Sequence, residues 1–118
     1  MMTKCIFCER AAVLENGLAK CFYDVFPVTP GHLLIVPKRH TPSYWDLMAD
    51  ERSAISELIE QARQTSEGID GWNIGVNIGE AAGQTVDHCH VHLIPRRAGD
   101  TADPRGGVRG VITDKQKY

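Results

Sequence analysis

His88-Cys89-His90-Val91-His92-Leu93-Ile94-Pro95 is the stretch on which the reading of this chain turns. A strand puts residues i, i+2 and i+4 on one face, so His88, His90 and His92 form a row of imidazoles about 7 Å apart per step of two residues. Cys89, Val91 and Leu93 then face the opposite way, into a core. One histidine on a strand is usually a satisfied surface or core residue. Three in register need a shared job, because adjacent imidazoles repel when protonated and are costly when buried unpaired. Two jobs fit. One is metal ligation; the other is nucleophilic catalysis on phosphorus, with one histidine attacking and a neighbour orienting it or handling protons. Gly83-Gln84-Thr85-Val86, just upstream, favours the second. Its glycine lets the backbone approach a ligand closely, and an amide and a hydroxyl are suitable donors to phosphate oxygens.

Outward from this strand, the periodicity changes with position. Asn16-Gly17, between Ala12-Val13-Leu14 and Leu18 to Tyr23, signals a hairpin with strands near 11–15 and 18–24. Pro27 and Pro30-Gly31 mark a loop. His32 to Val36 reads as a short apolar strand buried on both faces and stopped by Pro37. Thr41-Pro42 suggests a helix start, with proline at the first helical position. Ile55, Leu58, Ile59 and Ala62 follow the i, i+3, i+4, i+7 pattern, which predicts the main helix over about 50–67 with Gly68 as its C-terminal cap. Trp72 to Ile78 alternates as a strand, and the last strand runs from His88 to Pro95. Only the 38–71 segment is long enough for a helical crossover. The expected fold is α+β, an antiparallel sheet of about five strands with one main helix.

The chain has 118 residues, enough for one domain and one core. Residues 1–98 carry the expected ligand-binding domain, and 99–118 form a Gly/Arg-rich C-terminal segment of the same domain. The formal charge is −2 from 13 basic and 15 acidic residues, so a strongly basic nucleic-acid binder is not expected. Residues 96–118 hold six bases against three acids, net +3, which suits a small anionic ligand better than a duplex. The longest apolar run, Leu33 to Val36, is far too short to span a bilayer. Met1 to Cys5 has no apolar signal core, so a cytoplasmic location without membrane attachment is expected. Disulfides are unexpected in that compartment. The C-x-x-C pair Cys5 and Cys8 has a spacing that can hold a metal or a redox disulfide.

The segment His88 to Ile94 resembles the signature of the histidine triad family of nucleotide hydrolases and transferases, with similarity to its Fhit-like and Hint-like branches. The likeness extends through Gly83-Gln84-Thr85, Asn77, and Asp24 with Pro30-Gly31-His32-Leu33-Leu34-Ile35-Val36-Pro37-Lys38-Arg39-His40. It covers roughly residues 3 to 97. The resemblance implies that His90 is the nucleophile, attacking the α-phosphorus of a nucleotide. A nucleotidyl-histidine then forms, and water releases a nucleoside monophosphate. It implies further catalytic roles for His92, which contacts the phosphate and helps the leaving group, for His88 in the triad, and for His32, which supports the triad from the neighbouring strand. Nucleotide-binding residues carried over are Asp24 on the ribose hydroxyls, Asn77 near the phosphates, and Gln84 and Thr85 on non-bridging oxygens. Phe7 and Phe22 lie in regions suited to a base pocket.

His92 stands where the nucleotide-transferring branch has glutamine, which favours hydrolysis. Dinucleoside polyphosphates and nucleoside phosphoramidates both remain open as substrates. Purine nucleotides such as AMP or diadenosine polyphosphate are the expected ligands, and Arg96, Arg97, Arg105 and Arg109 are candidates to reach a polyphosphate tail. The resemblance also implies a homodimer. Some members carry a structural zinc, and Cys5, Cys8, His40 and His88 match its ligands; two thiolates and two imidazoles make a closed tetrahedral site. No organic cofactor is expected. Two rival readings stand beside the hydrolase: a metal-dependent hydrolase that uses the histidine row, and a non-catalytic purine nucleotide sensor. A redox protein built on Cys5 and Cys8 would leave the triad unexplained.

Overall fold

The hairpin signal at Asn16-Gly17 is realised with different chemistry from the expected one. No residue other than glycine has a positive φ among the described residues, and Gly17 has none either, so the turn is not the left-handed Asn-Gly type. Instead the Asn16 side chain accepts from the Leu18 and Ala19 amides at 3.1 and 2.9 Å and donates to the Ala54 carbonyl at 2.8 Å. That side chain closes the turn and pins it to the main helix. The computed structural model describes residues 5–118. The readings placed on Met1 to Lys4 lie outside the described residues.

The turn joins β1 (Leu14–Glu15) to β2 (Ala19–Tyr23), and three more strands follow: β3 (Leu33–Pro37), β4 (Gly71–Val76) and β5 (Val91–Arg96). They form one antiparallel sheet in the order β1-β2-β3-β5-β4. The main helix, α2 (Ala49–Thr65), carries the chain from β3 to the edge strand β4, and β5 returns between them. This is the expected α+β architecture. A one-turn helix, α1 (Ile6–Glu9), precedes the sheet.

Two faces follow from the period of two. Cys21, Leu33, Ile35, Cys89, Val91 and Leu93 pack with Ile55, Leu58 and Ala62 of α2. Each of the helix residues is at most 4% exposed, and burial of a Leu or Ile side chain contributes about 1.5–3 kcal/mol. Phe22, Leu34 and Val36 point to the other face, where Phe7 of α1 covers them. His92 pairs with Leu34 and with Gly75 across the sheet.

Several boundaries differ from the sequence reading. Thr41-Pro42 does not open a helix: the residue before a proline avoids the helical region, and the Thr41 carbonyl accepts the Cys89 amide at 2.7 Å. A single 3-10 turn follows at Tyr44–Asp46, capped by Ser43. Helix α2 ends at Thr65, not at 67. Thr65 and Ser66 hydroxyls satisfy its last carbonyls, so Gly68 (φ +72°) turns the chain only beyond the extended Ser66. The β4 strand stops at Val76. The β5 ladder begins at Val91, because the Cys89 amide is bound to Thr41 and not to a strand. The segment after Pro95 folds into 3-10 turns at Gly107–Val111 and Thr113–Lys115.

Candidate active site

The three triad histidines share one face although only His92 lies in the ladder. The ring centroids of His90 and His92 are 5.2 Å apart, and the Phe7 ring meets His90 edge-on at 5.0 Å and His88 at 6.3 Å. Cys89, Val91 and Leu93 face α2, as the alternation requires.

Backbone carbonyls fix which nitrogens carry protons, because a carbonyl only accepts. Nδ1 of His90 lies 2.8 Å from the His88 carbonyl and therefore donates to it. The neutral ring then keeps its lone pair on Nε2. His90 is 6% exposed, so this nitrogen sits in a largely enclosed site. His88 is fully buried, and its Nε2 donates to the Pro37 carbonyl at 2.9 Å. Its Nδ1 lone pair consequently faces Cys5 Sγ and Cys8 Sγ, each at 3.4 Å, and His40 Nδ1 at 3.2 Å. Cys8 Sγ lies 3.5 Å from His40 Nδ1.

These are the four residues matched to a zinc site, brought together from α1, the end of β3 and the start of the triad segment. Their ligand atoms lie within 4.8 Å of one another. A tetrahedral zinc with ordinary bond lengths sets N···N at about 3.3 Å and S···N at about 3.6 Å, and the His40–His88 distance of 3.2 Å and the three S···N distances of 3.4–3.5 Å are close to these. Burial and the neighbouring Cys5 raise the Cys8 thiol above its ordinary range. Two sulfurs and two imidazole Nδ1 atoms gathered around one point are the donors that would hold a cation, with the thiols giving up their protons on binding. The donor set fits zinc.

Behind His92 stands His32, buried at the head of β3, with Nε2 2.9 Å from His92 Nδ1. Asp24 Oδ2 lies 3.6 Å from the same His32 nitrogen, and its Oδ1 accepts the Phe26 amide at 2.8 Å. Burial holds both His32 and His92 below the usual histidine range; for His92 the neighbouring His90 and His32 add to this, and Asp24 opposes it. Both rings are therefore neutral near pH 7.

The loop before the triad is self-braced. Gln84 accepts the Gly79 amide at 2.9 Å and donates to the Pro42 and Val86 carbonyls at 2.8 and 3.0 Å. Its side chain holds the loop, whereas the sequence reading had it on a phosphate. Gly83 adopts a left-handed φ of +94°, and a Cβ there would stand 3.9 Å from Asn77 Nδ2, so Asn77 abuts the loop. Thr85 is exposed. Two of the four arginines proposed for a polyphosphate tail are engaged elsewhere: Arg96 pairs with Asp100 and Asn73, and Arg109 lies over Tyr118 and donates to the Lys115 carbonyl.

One contributor was missed. Lys20, buried on the site face, donates from Nζ to the Cys8 and Arg10 carbonyls at 3.0 and 2.7 Å and so anchors α1. Its signal was the alternation Ala19-Lys20-Cys21-Phe22, which puts Lys20 beside Phe22 on the site face.

Comparison with known proteins agrees with this geometry. The sequence model of the HIT domain matches residues 8–99. An uncharacterized HIT-like protein of Methanocaldococcus jannaschii is 37% identical over 124 residues, covering 94% of each chain. The asymmetrical bis(5'-nucleosyl)-tetraphosphatase of Schizosaccharomyces pombe is 36% identical over 92 residues, which is 75% of this chain and 50% of that protein. The crystal structure of a Zn-bound histidine triad family protein from Mycobacterium smegmatis superposes with a TM-score of 0.73 at 34% identity, covering 84% of this chain and 79% of that one. Among the described residues no helix is long and apolar enough to cross a membrane.

Proposed function

This chain belongs to the HIT domain family, and on that premise we propose that it is a nucleotide hydrolase cleaving at the α-phosphate of a dinucleoside polyphosphate or a nucleoside phosphoramidate. The observation that carries the reading is the 2.8 Å contact from His90 Nδ1 to the His88 carbonyl, which leaves Nε2 as the attacking lone pair. That nitrogen attacks the α-phosphorus. A P–N bond forms and the bond to the leaving group breaks; a polyphosphate leaves as its anion, an amine takes a proton from solvent, and either is hydrogen-bonded from the His92 side. Water then attacks the same phosphorus, giving one proton to solvent; the P–N bond breaks, and a nucleoside monophosphate leaves with neutral His90 restored. Two easier steps replace one hard one, and most of the catalysis is positioning and charge stabilisation.

In this reading Asp24 accepts from the ribose hydroxyls and Asn77 with the loop Gly83 to Thr85 borders the phosphates, while Phe7 and Phe22, packed on each other and buried, serve as core. Cys5, Cys8, His40 and His88 hold a structural zinc, which ties α1 to the triad segment and removes His88 from the chemistry. A second copy pairs with the chain as a homodimer; the open edge strand β4, with Ile74 half exposed, supports that part. The metal-dependent reading has one observation in its favour: ligand atoms of Asp24, His32 and His92 lie within 4.8 Å of one another. Their 2.9 Å His–His contact is already explained by a hydrogen bond.

The test is release of AMP from diadenosine tetraphosphate by the zinc-loaded protein and by His90→Gln. The reading expects turnover by the first, undiminished by a chelator too weak to strip the Cys–His site, and none by the second. AMP binding without turnover in both would establish a sensor, and chelator-sensitive turnover would establish the metal hydrolase.

A further inference from the structure

The loop 24–31 carries a feature that its exposed side chains conceal. The Val28 side chain is 67% exposed, yet its backbone amide points inward and donates to His32 Nδ1 at 3.1 Å. An amide N–H only donates, so His32 Nδ1 must be the lone-pair nitrogen. A neutral imidazole has one proton, which therefore sits on Nε2. That nitrogen is 2.9 Å from His92 Nδ1, so His92 Nδ1 accepts. The one remaining place for the His92 proton is Nε2. Reversing either ring would set two N–H groups, or two lone pairs, against each other.

We propose that the Val28 amide, acting through His32, holds the His92 proton on Nε2, and that the Thr29 hydroxyl is the positioning residue that keeps this amide in place. Thr29 Oγ1 donates to the Pro95 carbonyl at 2.7 Å, three residues past His92 in the same strand. The Thr29 carbonyl accepts the His32 amide at 3.2 Å, and the Asp24 amide donates to the His32 carbonyl at 3.0 Å. Gly31, at φ +90°, packs where a Cβ would stand 3.4 Å from the Pro95 ring. The loop is thus closed on itself and latched to β5 at one hydroxyl. Because Asp24 stands at its start, the segment that meets the nucleoside also sets the donor that meets the leaving group. Only this last consequence rests on the hydrolase reading; the proton placement does not.

The test uses the full, zinc-loaded chain labelled with 15N, at pH 8, where His32 and His92, both lowered by burial, are neutral. Long-range 1H–15N correlation reports which ring nitrogen is protonated. The wild type should show His32 and His92 each as a single tautomer with the proton on Nε2. Val28→Pro removes the donor: His32 should become a mixture and the His92 Nε2 proton should lose occupancy. On diadenosine tetraphosphate, kcat should drop by roughly tenfold, part of what a preorganised hydrogen-bond donor to developing charge contributes, with KM within about twofold. Thr29→Val should move both readouts the same way, and Thr29→Ser should restore them. If Val28→Pro does not fold, the two Thr29 variants decide alone. A wild-type His32 protonated on Nδ1, or folded variants that keep both tautomers, would overturn the proposal. Absence of turnover with the tautomers as stated would overturn the hydrolase reading and leave the proton placement standing.

Discussion

Phe7→Ala tests whether the N-terminal turn is built into the site. The ring is 6% exposed and packs against Phe22 at 5.4 Å and His90 at 5.0 Å. Phe→Ala in a core costs about 3–5 kcal/mol, transfer plus cavity. A ring at the rim of a sheet can be partly replaced by its neighbours, so the low end, about 3 kcal/mol, is expected. A chain of 118 residues unfolds with an entropy of about 0.25 kcal/mol/K, so Tm should fall by roughly 12 °C. The zinc state adds a second reading. Four residues of helix do not stand alone, so α1 is held by Phe7, by Lys20 on the Cys8 and Arg10 carbonyls, and by the Cys–His cluster. With zinc bound the turn stays docked and the full cost appears. After chelation the variant can release the turn locally, and the drop should be smaller. Differential scanning calorimetry of both proteins, with zinc and with a strong chelator, measures this. A fall of under about 4 °C with zinc bound would refute the packing argument.

Other consequences follow from the same geometry. Cys8→Ser should lose the metal, read by native mass spectrometry as one zinc per wild-type chain and none in the variant; retention would place zinc elsewhere. Burial lowers the folded pKa values of His32 and His92, so the unfolded chain takes up protons first as pH falls. Stability should therefore hold above about pH 6.5 and decline below it, levelling once the folded rings protonate. A urea midpoint that rises between pH 7.5 and 5.5 would contradict this sign. Arg109→Ala should leave kcat and KM for diadenosine tetraphosphate within about twofold, because its guanidinium lies over Tyr118. A large rise in KM would return Arg109 to the polyphosphate site.

Much of the fold was legible because hydrophobic period is a local signal. Ile55, Leu58 and Ala62 marked the core face of α2 and Val91 and Leu93 that of β5. His88 and His90 precede the ladder, His88 within a bend, yet both rings meet the Phe7 ring on the same side of the sheet. What failed was decided by partners distant in sequence. The Thr41 carbonyl is taken by Cys89. Hydroxyls of Thr65 and Ser66 replace the glycine cap expected at Gly68. The proton-setting groups of the site, the carbonyls of Pro37 and His88 and the amide of Val28, are backbone atoms, which nearly every residue type supplies and no side-chain pattern marks.

Covalent catalysis by His90 is the central claim, and intact-protein mass spectrometry after a brief acid quench tests it most directly. Wild type and His90→Ala are mixed in parallel with diadenosine tetraphosphate and with an adenosine phosphoramidate. The account predicts one AMP moiety on wild type, labile on longer incubation, and none on the variant. Turnover by wild type with no adduct at any quench time, or an adduct that persists in His90→Ala, would contradict it.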